Sequence, residues 1–185
     1  MNIICTDKSK FDIDEAKIKL KKWLGQNHYY YGREWAYKNI KPKIICEKYM
    51  VDGITNDLID YKFYCFNGVP KFLYVAKGGA FDLKNLLMNF LDLNWEKTEF
   101  QRTDHKQFEN LPDKPQQLKK MILFAGVLSK NIPFSRIDFY VVNGTLYFSE
   151  ITLYPAGGYA KFEPYKYEVL FGDWINLPEK HKSRE

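Results

Sequence analysis

The stretch SRIDFYVVNGTLYFSEITLYPAGG, Ser135 to Gly158, decides how this chain is read. Two runs rich in β-branched and aromatic residues flank Asn143-Gly144, a strong local signal for a β-hairpin. Two carboxylates, Asp138 and Glu150, sit inside those strand-like runs. Side chains alternate along a strand, so Arg136, Asp138 and Tyr140 share one face of the first run. Leu146, Phe148, Glu150 and Thr152 share one face of the second. The turn decides whether the two sets meet. A two-residue Asn143-Gly144 turn pairs Val142 with Thr145 and sends Asp138 and Glu150 to opposite faces. A three-residue loop, Val142 to Gly144, pairs Val141 with Thr145. Glu150 then lies opposite Arg136, with Asp138 diagonal to it and Thr152 one step along. A β-bulge that corrects the tighter turn would also bring the carboxylates to one side.

The same-face register gathers a cation, two carboxylates and a hydroxyl. Two carboxylates so close repel, which raises one pKa unless a cation lies between them. Mg²⁺ suits such a place, because it takes one or two carboxylates and completes its octahedron with phosphates and water. Arg136 would then neutralise a phosphate or a developing oxyanion. The competing reading is an Arg136–Glu150 cross-strand salt bridge with Asp138 at the sheet rim. The pattern alone does not choose between them.

Outward from this hairpin, the chain reads as one domain of 185 residues with 45% apolar and 17% aromatic content, enough for a packed core. Its net charge of +5 comes mostly from scattered lysines, the pattern of an ordinary solvated surface. No nucleic-acid-binding motif accompanies the charge. The N-terminal MNIICTDKSKFDIDE is polar by its sixth residue, unlike a secretory signal, and the longest apolar run, Met121 to Leu128, is too short to span a bilayer. Cys5, Cys46 and Cys65 lack metal spacing and read as reduced thiols of a cytoplasmic protein. His28, His105 and His181 suggest neither a metal site nor a triad.

Asn2 to Cys5 and Lys43 to Met50 are expected as strands, and DIDEAKIKLKKWLG as a helix with Ala16, Leu20, Trp23 and Leu24 on one stripe, stopping at Gly25. NHYYYGREWAYKNIKP is irregular and aromatic, and VDGITND is a loop. LIDYKFYCF and PKFLYVAK form a hairpin around Asn67-Gly68. Between Gly78 and Pro112 the pattern is undecided, with LKNLLMNFLDL as helix or strand. A helix is expected from about Pro115 to Lys130, burying Leu118, Met121, Ile122, Ala125 and Leu128. After Pro155 the chain is loop-rich, and residues 178–185 form a frayed tail. Hairpins with two helices indicate an α+β class.

Four collinear blocks, REWAYKNIKPKIICEKYM, DYKFYCFNGVPKFL, SRIDFYVVNGTLYFSEITLYPAGG and LFGDWINL, resemble the TupA-like ATP-grasp family of bacterial capsule and teichuronopeptide gene clusters. The resemblance implies an ATP-grasp fold, incomplete here, with residues 1–46 a remnant of the first subdomain and 47–177 the second. It implies ATP and Mg²⁺ as cofactors. Asp138 and Glu150 match the magnesium ligands of the last hairpin. Thr152 stands where the superfamily usually has Asn, and a hydroxyl is a poorer ligand than a carbonyl. Arg136 matches the basic residue two before the first carboxylate. CEKYM resembles the linking strand, where the backbone of Glu47, Lys48, Tyr49 and Met50 would bond the adenine edge; an ordinary buried strand would use Ile44, Ile45 and Met50 equally well. Lys62 matches a basic residue near the phosphates, its alternative being a solvated lysine on an edge strand.

Arg33 is a candidate clamp for an acidic substrate, and Trp35, Tyr37 and Tyr29 to Tyr31 are candidates for stacking on a sugar, with core packing the commoner fate of such aromatics. Gly157 and Gly158 allow close backbone approach or merely a turn. The family pattern normally includes a lysine strand and a Gly-rich phosphate loop ahead of the matched blocks. AKGGAF does not replace that loop. The chain is therefore expected to be the C-terminal part of such an enzyme, completed by an N-terminal segment or a partner chain. The implied activity is an ATP-dependent carboxylate–amine ligase acting through an acyl-phosphate on a small-molecule or polysaccharide substrate. A capsular glycosyltransferase and a non-catalytic nucleotide-binding remnant are the alternatives. The implied location is the cytoplasm, with peripheral membrane association left open.

Overall fold

The structure, a computed structural model, describes residues 2–53, 58–78 and 86–178. The end of the expected tail and parts of VDGITND, AKGGAF and LKNLLMNFLDL lie outside them. The chain divides into two units, Met1–Met50 and Val51–Glu185. No helix among the described residues is long and apolar enough to cross a membrane.

The first unit is built on helix α1, Ile13–Leu24. The Asp12 carboxylate accepts a hydrogen bond from the Glu15 N–H at 2.8 Å and caps its start. Asp14 and Glu15 occupy the first turn and Lys21 and Lys22 the last, as the helix dipole favours. A single turn, α2 at Tyr29–Gly32, and a 3-10 turn at Trp35–Tyr37 follow. The two strands expected in this unit are absent. Asn2 to Cys5 and Lys43 to Met50 carry no strand pairing, and Ile44 and Ile45 are exposed. A β-rich apolar run becomes a strand only when a second strand takes its backbone N–H and C=O groups. Among the described residues, none does so here.

The second unit is an antiparallel sheet of β1 (Asp60–Phe66), β2 (Val69–Lys77), β3 (Leu87–Leu91), β4 (Phe134–Val142) and β5 (Thr145–Thr152), in the order β3-β2-β1-β4-β5. Two hairpins, β1–β2 and β4–β5, account for most of it. Both turn at Asn-Gly, with positive φ at Asn67, Gly68, Asn143 and Gly144, the backbone that matches strand twist. The undecided segment supplies β3, which pairs with β2 from Leu73↔Leu91 to Lys77↔Leu87.

Period-two alternation gives the sheet two different faces. Phe63, Cys65, Leu73, Val75, Leu91, Ile137 and Phe139 pack against helix α3, Leu118–Leu128, through Leu118, Met121 and Ala125. Of the rest of the expected stripe, Ile122 packs against the same core and Leu128 stays exposed. Tyr64, Phe66, Phe72, Tyr74 and Phe90 line the opposite face and meet Phe100, Phe162 and Phe171 in an aromatic layer. Fully burying such a side chain contributes about 1.5–3 kcal/mol, so this layer is a major part of the core. Phe171 comes from helix α4, Lys166–Asp173, in a region expected to be loops. The helix has eight residues and buries one of them, too little periodicity to stand out in sequence.

Candidate functional site

The aromatic face of the sheet changes character at β1 and β4. Asp60, Lys62 and Tyr64 alternate onto it from β1, and Arg136 and Asp138 from β4. The β1–β4 register sets Lys62 directly opposite Asp138 and Tyr64 opposite Arg136. Lys62 is therefore not on an edge strand, since β1 is central.

The register of the last hairpin departs from both simple expectations. The turn has two residues, Asn143 and Gly144, with Val142 paired to Thr145 and Val141 to Leu146. The three-residue loop does not form. Continued regularly, that ladder would place Glu150 on the face opposite Asp138. Instead the register shifts between Phe139↔Phe148 and Ile137↔Ile151, so Ser149 and Glu150 together face Asp138. This two-against-one β-bulge returns Glu150 to the side of Asp138 and sets Arg136 opposite Thr152.

The resulting cluster is dense. Asp138 has no solvent exposure, and so does not lie at the sheet rim. Its Oδ1 accepts from Arg136 Nε at 2.7 Å, and its Oδ2 from Arg136 Nη2 at 2.7 Å and Lys62 Nζ at 2.6 Å. Arg136 Nη2 also donates to Glu150 Oε1 at 2.8 Å and to Thr152 Oγ1 at 3.0 Å. Thr152 Oγ1 in turn donates to Glu150 Oε1 at 3.1 Å. Glu150 is the open member, with 56% side-chain exposure. Asp60 adds a second carboxylate 3.1 Å from Lys62 Nζ, and Tyr74 lies under the Arg136 guanidinium, 5.9 Å from ring centroid to Cζ.

Electrostatics keep the two cations charged. Burial by itself would lower the Lys62 pKa, but the charges of Asp138 and Asp60 overcome it and raise the value. Burial also opposes the Arg136 charge, while the hydrogen bonds and charge of Asp138 push its pKa up further. The Asp60 carboxyl is raised, first by burial, against the pull of Lys62. Removing one partner from such a buried set costs far more than forming it gained.

Three oxygens, one each from Asp138, Glu150 and Thr152, converge on Arg136 Nη2 within 2.7–3.0 Å. The guanidinium thus occupies a point where hard oxygen donors with two negative charges meet. That donor set fits Mg²⁺, which needs no more than one or two carboxylates from a protein. Among the described residues no three His, Cys, Asp or Glu side chains come together in a way that could hold a metal ion.

The other expected residues are not part of this hydrogen-bonded cluster. Glu47, Lys48, Tyr49 and Met50 belong to the first unit, where Glu47 to Tyr49 are exposed and Met50 is half-buried. Arg33 lies over the Tyr29 and Tyr30 rings at 5.5 and 5.7 Å, and Lys38 over Trp35 at 4.4 Å. Tyr30, Tyr31 and Trp35 are exposed, so core packing is not their role. Gly157 and Gly158 take positive φ in a 3-10 turn at Pro155–Gly158. Asp60 and Tyr74 were not singled out in sequence. Asp60 was legible by alternation with Lys62, whereas Tyr74 needed the β1–β2 register that sets it opposite Lys62.

No curated protein and no solved structure matches this chain. The family model described as TupA-like ATPgrasp matches residues 1–176, nearly the whole sequence. Its α+β sheet, the four collinear blocks and this match agree: the chain belongs to the TupA-like ATP-grasp family.

Proposed function

We propose that this chain binds Mg-ATP and serves a carboxylate–amine ligase of bacterial surface-polymer biosynthesis. The observation that carries the reading is the convergence of Lys62, Arg136, Asp138, Glu150 and Thr152 on one sheet face. Phosphoryl transfer is catalysed by positioning and charge neutralisation, and those residue types supply both. Asp138, Glu150 and Thr152 are the residues that would hold Mg²⁺, which when bound supplies Lewis-acid neutralisation of phosphate charge. Lys62 stays protonated and fixed by Asp138 and Asp60, so it offers a permanent cation to a phosphate. Arg136 Nη2 holds Asp138, Glu150 and Thr152 together and would release Glu150 and Thr152 to the metal, leaving the guanidinium to face an anion.

In the proposed reaction the γ-phosphoryl group of ATP passes to a substrate carboxylate, giving an acyl-phosphate and ADP. An amine then attacks the acyl carbon, the C–O bond to phosphate breaks, and the amine proton leaves to solvent. A uronic acid of a surface polymer or an amino acid is the proposed carboxylate.

The test is a thermal-shift titration with millimolar Mg-ATP. The wild-type chain should gain melting temperature, and Glu150→Gln should lose that gain while melting normally without ligand, because Glu150 is exposed. A wild-type chain that shows no shift would sink the reading.

A further inference from the structure

One nitrogen of the cluster has more acceptors than protons. Arg136 Nη2 carries two N–H groups, yet three oxygens lie within hydrogen-bond distance: Asp138 Oδ2 at 2.7 Å, Glu150 Oε1 at 2.8 Å and Thr152 Oγ1 at 3.0 Å. Nε donates to Asp138 Oδ1 at 2.7 Å, so the Nε–Nη2 edge of the guanidinium grips Asp138 side-on. The remaining Nη2 N–H therefore serves Glu150 and Thr152 together. That N–H belongs to the other edge, between Nη2 and Nη1, and Nη1 donates to none of the described residues. A bidentate hold on a phosphate uses both nitrogens of one edge, and here half of that edge is engaged. Lys62 is the other buried cation. Its ion pairs, with Asp138 at 2.6 Å and Asp60 at 3.1 Å, involve neither Glu150 nor Thr152.

We propose that Arg136 locks the empty site, so that a divalent cation and a phosphate bind it as a coupled pair. The inference rests on the Mg-ATP reading and adds how that site is regulated. Asp138, Glu150 and Thr152 are the oxygens that would hold the cation, and Nη2 stands where they meet. A divalent cation and a guanidinium repel, so they do not share that point. Cation binding takes Glu150 and Thr152 from Nη2 and opens the Nη1–Nη2 edge. Phosphate on that edge draws Nη2 from the same two oxygens and leaves them to the cation. Each ligand removes the obstacle to the other, and the coupling is equal in both directions. Asp138 stays the anchor, since it is fully buried and gripped through Nε. Glu150, 56% exposed, is the member with room to turn.

The experiment measures Mn²⁺ binding to the full chain by water-proton relaxation, with and without methyl phosphate. In the wild type, methyl phosphate should tighten Mn²⁺ binding about tenfold beyond the pairing of the two ions in solution. Arg136→Gln should bind Mn²⁺ about tenfold more tightly than the wild type without phosphate, and methyl phosphate should then add only the solution pairing. Lys62→Gln removes a charge beside the same Asp138 but frees neither Glu150 nor Thr152, and should gain far less. A second measurement needs no altered chain. With Mg²⁺ in place of Mn²⁺, the Arg136 Nε–H resonance of the wild type should move most when Mg²⁺ and methyl phosphate are present together. No coupling in the wild type would overturn the proposal, as would an unmoved Arg136 resonance or the same coupling in Arg136→Gln. An equal gain in Mn²⁺ affinity for Arg136→Gln and Lys62→Gln would reduce the effect to charge and overturn the lock. A wild-type chain that gains melting temperature with Mg-ATP yet shows no coupling would defeat the lock and leave the Mg-ATP reading standing. A chain that binds neither Mn²⁺ nor Mg-ATP would defeat both.

Discussion

Asp138 shows how much one side chain can organise. Both of its oxygens are occupied by two cations from two strands, and water does not reach it. Replacing it with alanine leaves Lys62 and Arg136 facing each other in a buried place without their shared counter-charge. We expect Asp138→Ala to cost about 3–5 kcal/mol of unfolding free energy in urea titration, the range for breaking a buried ion pair. Asp138→Asn should cost less, because the amide keeps one acceptor oxygen. A loss below about 1 kcal/mol for Asp138→Ala would mean that the cluster adds no more than an exposed ion pair does. At this scale the sequence was informative. Asp138 and Glu150 stand out because carboxylates are rare among strand aromatics, and Lys62 stands out once family blocks are aligned. Tyr74 did not stand out, since only the β1–β2 register sets it opposite Lys62.

The last hairpin carries the argument at the scale of elements. Its turn was legible, because Asn143-Gly144 accepts positive φ at both positions and closes a two-residue loop. Its far end was not, because the bulge at Ser149 and Glu150 is written in no dipeptide. Deleting Ser149 offers a direct check. Without it, Glu150 would pair opposite Asp138 in a regular ladder and stay on the same face, so the Mg-ATP shift should survive the deletion. Loss of the shift with an intact melting transition would show that the bulge itself, rather than the face it selects, is required. Because β5 is at the sheet edge, the deletion disturbs one neighbouring strand rather than two. The same distinction explains Lys43 to Met50. Its apolar run has strand composition, but pairing needs a partner, and composition does not report one.

Across the whole molecule, the buried groups of the second unit set a response to alkali. Burial pushes the Cys65 thiol from 9.0 up to about 11 and the Tyr61 phenol from 10.0 up to about 12. Burial opposes the Lys62 charge, yet Asp138 and Asp60 still raise its pKa above 10.5. In all three the folded state holds its proton more tightly than the unfolded chain. Their stabilisation is therefore complete below the unfolded values and lost as pH rises through the folded ones. Unfolding free energy should hold up to about pH 9 and decline from there to about pH 12. Denaturant titrations across that range check it, and Cys65→Ala should lower the plateau but delay the start of the decline. A flat profile through pH 11 in the wild type would contradict the burial of Cys65.

The sequence by itself determined the α+β class, two Asn-Gly hairpins, the capped first helix and the residue types of the site. These are local properties: alternation in strands, positive φ in a turn, a carboxylate before a helix. The tertiary structure decided which strand candidates pair, where β3 and α4 form, and that a bulge rather than a longer turn brings Glu150 to Asp138. Those outcomes depend on the balance of ladder hydrogen bonds and burial between segments far apart in the chain. Asp138 lies 76 residues beyond Lys62, and their contact exists only because β4 returns to lie beside β1.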